Sequence, residues 1–107
     1  MKSLRLAVLD HLDARERTLG RAQQAAQASR RPFVVRIYLT RDLGIDKPPA
    51  EIERAQVLRY FRAAGWSDVF FDDASTNQIR DTILVLVAEP VGWPRTGLRG
   101  WDRDRPR

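Results

Sequence analysis

The side chains with which this chain could do chemistry are one histidine, a run of aspartates between residues 68 and 81, and seventeen arginines. His11 is the only histidine, so a hydrolytic triad or a histidine metal site would have to be built on it alone. Asp10 and Asp13 are near in sequence but lie off its helical face, whereas Arg15, at the i+4 spacing, shares it. The residue is therefore expected to be a partly exposed helix histidine. Asp72 and Asp73, with Asp68 and Asp81 across the following turn, could in principle hold a divalent cation through oxygen ligands, as a metal-dependent nuclease does. Adjacent strand residues point to opposite faces, however, and aspartates at a strand end are ordinary turn chemistry. No metal and no cofactor are expected. There is no phosphate-cradling glycine loop, no nucleophile elbow and no zinc-protease motif, so the reading favours a non-enzymatic chain.

The arginines are the stronger signal. The formal net charge of +5 is divided unevenly. Residues 1–31 carry seven bases against three acids, residues 32–89 seven against nine, and residues 90–107 five against two. Both ends are basic and the middle is mildly acidic. Seventeen of the nineteen bases are arginine, whose planar fork suits phosphate and carboxylate. Residues 93–107 interleave Trp93 and Trp101 with Arg95, Arg99, Arg103, Arg105 and Arg107, a composition able to stack on bases and neutralise phosphates. Asp102 and Asp104 offset part of that charge. Arg17, Arg21, Arg30 and Arg31 would extend the same basic surface. The competing reading of these four is helix-dipole compensation and a solvated helix face.

Elements must position these groups. Residues 3–30 are patterned as one long helix, with Val8, Leu12, Leu19, Ala22 and Ala26 on a seam of threes and fours, Gly20 as a site for a bend, and Pro32 ending it. Residues 33–40 alternate as a strand, with Phe33, Val35, Ile37 and Leu39 toward a core. A loop with Gly44 as its turn residue leads to Pro48-Pro49, which open a second helix bearing Ile52, Ala55, Leu58 and Phe61, flanked by Val57 and Ala64. Gly65 stops that helix. Residues 66–71 form a second strand, and the apolar run 82–88 a third that belongs in the middle of its sheet.

The fold class is thus α+β in the order α-β-α-β-β. A mixed three-stranded sheet of order 1-3-2, half of a ferredoxin-like arrangement, carries helices on one face. The domain reading is an N-terminal helix over 1–31, a core over 32–90 forming one domain with it, and an extended or disordered basic tail over 91–107. The half-ferredoxin likeness implies no function.

With no cysteine, disulfides, thiol catalysis and thiolate zinc sites are excluded. The apolar start stops at Asp10-His11 without a small-residue cleavage site, and no window approaches the ~20 apolar residues of a membrane helix. A cytoplasmic protein that does not enter membranes is expected. The leading expectation is a small binding module contacting nucleic acid through its basic ends. The alternative is a protein-interaction or regulatory module, homodimeric or bound to an acidic protein through the helix seam of Val8, Leu12, Leu19, Ala22 and Ala26. An enzyme with metal at Asp72, Asp73 and Asp81 comes third.

Overall fold

Ser3 caps the first helix, its hydroxyl accepting the Leu6 N–H at 3.2 Å, and α1 runs Leu4–Ala14. The structure, a computed structural model, describes residues 2–73 and 81–90. The expected single helix is two. Arg15 leaves helical geometry (φ −112°, ψ 16°), and α2 resumes over Glu16–Ala28. The reason lies in the seam itself. A straight helix would carry Arg15 along the stripe that buries Leu4, Val8, Leu9 and Leu12; the break releases its side chain to solvent instead. Gly20, where a bend was expected, stays helical. Alpha2 ends with Arg30 in the left-handed region (φ 55°) and the Arg31 N–H on the Ala26 carbonyl at 2.9 Å, the bond that closes a helix whose C′ residue is left-handed.

Strand β1 covers Phe33–Tyr38. Leu39 and Thr40, expected to continue it, instead open a short helix, α3, over Leu39–Leu43. The cause is remote in sequence: the Asp81 carboxylate accepts the Thr40 and Arg41 N–H groups at 2.9 and 3.2 Å, capping α3 from 40 residues away. Gly44 (φ 69°) ends α3, with Ile45 N–H on the Leu39 carbonyl. Helix α4 spans Glu51–Ala63, starting just after Pro48-Pro49, and Gly65 (φ 107°) turns the chain out of it as the sequence predicts. On α4 the buried positions are Val57 and Phe61; Ile52, assigned to the apolar stripe, is 68% exposed. Strand β2 is Asp68–Asp72 and β3 is Ile83–Ala88.

The sheet order is β1-β3-β2, with both ladders antiparallel. The outer strands run parallel to each other but never pair, so the mixed character lies in strand direction alone. Phe33, Val35 and Ile37 of β1, Val69 of β2, and Leu84, Leu86 and Ala88 of β3 form one face. Against it pack Val8, Leu9 and Leu12 of α1 with Val57 and Phe61 of α4. Alpha2 flanks β1, with Leu19 and Ala26 partly buried against the same core. The opposite face reads in three cross-strand rows: Val34–Val87–Asp68, Arg36–Val85–Phe70 and Tyr38–Ile83–Asp72. None of these nine residues joins the packed core.

Candidate nucleic-acid interface

Of the residues proposed for phosphate contact, Arg17, Arg21, Arg30 and Arg31 are all exposed, and none forms an ion pair with a described residue. Arg17 and Arg21, one turn apart on α2, line a groove with Asp13, Glu16 and Gln24. Arg30 and Arg31 stand just past the end of the same helix. Arg95, Arg99, Trp101, Arg103, Arg105 and Arg107 lie outside the described residues.

The helix seam proposed for self-association is corrected. Val8 and Leu12 are fully buried in the chain's own core, Leu19 and Ala26 are partly buried against it, and only Ala22 is exposed. The 3-4 spacing of apolar residues is the same for a helix that packs on its own sheet and for one that pairs with a partner, and here the sheet takes it.

The structure joins His11 and Arg15 to three residues not singled out from the sequence, Arg36, Arg41 and Asp42. His11 and Arg15 at the end of α1, Arg36 on β1, and Arg41 and Asp42 on α3 line one cleft of about 170 Å³, floored by Leu12, Leu19 and Val35. Arg41 lies flat over the Tyr38 ring at 3.8 Å, and its Nε donates to Asp42 Oδ1 at 3.2 Å. Burial pushes the Asp42 carboxyl up, but the Tyr38 N–H at 2.8 Å and the Arg41 guanidinium outweigh it and hold the group below its ordinary value. Burial lowers the His11 imidazole, Arg15 and Arg41 push the same way, and Asp42 opposes them only in part. A half-buried neutral imidazole among three guanidiniums and one already engaged carboxylate is suited to receive an anion, which would supply the negative charge the cleft lacks.

Two of the cleft's arginines, Arg36 and Arg41, belong to a longer run. From Arg17 through Arg41 there are six arginines and no acid. Net charge summed over residues 1–31, 32–89 and 90–107 divides this run at residue 31.

The aspartates have other work. Asp73 holds Arg54 with both carboxylate oxygens, at 3.1 and 3.3 Å, and accepts the Thr82 hydroxyl at 2.9 Å. Asp81 caps α3. These bonds, the Arg54 contact first, hold the Asp73 carboxyl below its usual range. Asp72 points to the other sheet face from the core, away from Phe71. Among the described residues no group of three histidine, cysteine, aspartate or glutamate side chains could hold a metal ion. Nor is any described helix long and apolar enough to cross a membrane.

The chain matches no protein-family model, no curated protein and no solved structure.

Proposed function

We propose that the protein is a small non-enzymatic module that binds nucleic acid through phosphate contacts made by the arginine-rich flank of α2, β1 and α3, together with the basic tail. One observation carries this reading: the acid-free run of residues 17–41 passes through α2, β1 and the start of α3, with both helices in contact with β1, and exposes all six of its arginines. Five of the six stand without an ionic partner among the described residues, and Arg41 alone is paired.

The spacing supports an extended polyanion. Arg17 and Arg21 are one turn apart, and Arg30-Arg31 lie about 15–20 Å further along the α2 axis. The tail arginines and tryptophans would add charge and stacking surfaces to the same strand.

The test is binding of a labelled single-stranded oligonucleotide across a salt series. If Arg17, Arg21, Arg30 and Arg31 each neutralise one phosphate, log K should fall against log salt with a slope near −3 (about −0.7 per contact). Arg17→Gln with Arg21→Gln should reduce that slope by roughly 1.4. An affinity that does not respond to salt, or a slope unmoved by the double substitution, rules the reading out.

A further inference from the structure

We infer that the sheet face opposite the helices is the contact surface of a homodimer, in which a second copy packs face to face with its strands aligned. The dimer would bury Arg36 and so withdraw it from the proposed phosphate contacts; its tests use no nucleic acid, so the two readings fail separately.

The observations are the composition of that face and its distribution of charge. Its central strand presents Ile83, Val85 and Val87, flanked by Val34 on β1 and Phe70 on β2. No described helix covers it; Val85 is only 6% exposed, and the neighbouring Val34, Ile83 and Val87 are half-buried. Phe70 itself is 40% exposed, although an aromatic ring of that size is ordinarily placed in a core or an interface. An apolar strip rimmed by charge is the composition of an interface centre.

The charges say which occupant fits. Arg36 is on β1 and the acids Asp68 and Asp72 are on β2, at opposite edges of the apolar strip. Face-to-face packing by a two-fold axis has two simple forms. An axis across the strands lays β1 on β1 and brings Arg36 against Arg36. An axis along β3 lays β1 of one copy over β2 of the other and returns Val85 to Val85. In that form Arg36 meets Phe70 of the second copy beside its Asp68, so each guanidinium gains a ring face and a carboxylate. The face is complementary to itself in this one arrangement, and aligned sheets at about 30° are a common sandwich geometry. The footprint, about 14 Å across three strands and about 17 Å along five residues, is about 240 Å² a side, well below the roughly 800 Å² per partner of a standard interface, so the dimer should be weak and depend on concentration.

The test uses the full chain. Sedimentation or light scattering over a concentration series should show a dimer. Asp68→Arg and Arg36→Glu should each weaken it by at least about tenfold, through like charges brought together, and the two combined should restore it. Because the chain has no cysteine, Val85→Cys supplies one thiol per copy at the two-fold axis; mild oxidation should link it, while Ala22→Cys on the exposed face of α2 should not. A wild-type chain that remains monomeric overturns the inference, as does a dimer indifferent to both charge reversals, or one that cross-links through Ala22→Cys and not Val85→Cys.

Discussion

Arg30 is a residue where two demands conflict. It occupies the left-handed C′ position that ends α2, with φ 55°, where a residue with a Cβ is strained and glycine is preferred. Its side chain is exposed and makes no ion pair with a described residue, so only the backbone bonds that close α2 offset the strain. An arginine kept at such a point is consistent with use of its charge. Arg30→Gly should therefore stabilise the protein, by up to about 1 kcal/mol in urea melts, while weakening oligonucleotide binding. A variant that loses stability, or that binds as well as the parent, would remove Arg30 from the proposed interface.

At the scale of elements, α3 exists because of a bond that spans 40 residues. Asp81 supplies the acceptor for two N–H groups at the start of α3, and its carboxyl is held below the ordinary value by those bonds, which outweigh the opposing effect of burial. Asp81→Asn keeps one acceptor oxygen but loses the charge and the second oxygen. It should cost about 1 kcal/mol, a typical helix-cap loss, with faster amide exchange at Thr40 and Arg41. If exchange at α3 is unchanged, the cap does not hold it. The same element shapes the cleft, since α3 carries Arg41 and Asp42 to the place where His11 and Arg36 meet.

The whole molecule has a definite response to acid. His11, Asp42, Asp73 and Asp81 all titrate lower in the folded chain than their ordinary values. The unfolded chain therefore takes up more protons than the folded one, and stability rises with pH wherever these groups titrate. Their contributions are present above the ordinary values and are lost as pH falls, first below 6.5 for His11 and then below 3.8 for the aspartates. Urea midpoints should decline from pH 7 to pH 5 and again toward pH 3, and His11→Gln should flatten the upper step. A midpoint higher at pH 5 than at pH 7 contradicts this sign. Oligonucleotide binding should in turn raise the His11 imidazole, since phosphate in the cleft favours its charged form.

The parts legible in advance were those governed by neighbours along the chain. The alternation of residues 33–40, the apolar run 82–88 and the glycine stop at Gly65 predicted strands, the central place of β3 and the end of α4; the strands form at 33–38 and 83–88, β3 is central, and Gly65 turns the chain out of α4. The β1-β3-β2 order followed because only a fully apolar strand suits a position covered at both edges. What the pattern could not show was decided by partners distant in sequence. Arg15 breaks the first helix where the buried stripe of Leu4, Val8, Leu9 and Leu12 ends. Leu39 turns helical because Asp81 is there to cap it. The arginines from Arg15 to Arg41 were visible as charge, but only the packing of α2 along β1 and the turn into α3 brings His11, Arg15, Arg36 and Arg41 to one cleft. Composition and short-range periodicity determine which elements form and the sign of the chain's charge. Where that charge converges, and which sheet face is left open, depends on contacts between elements that no local window contains.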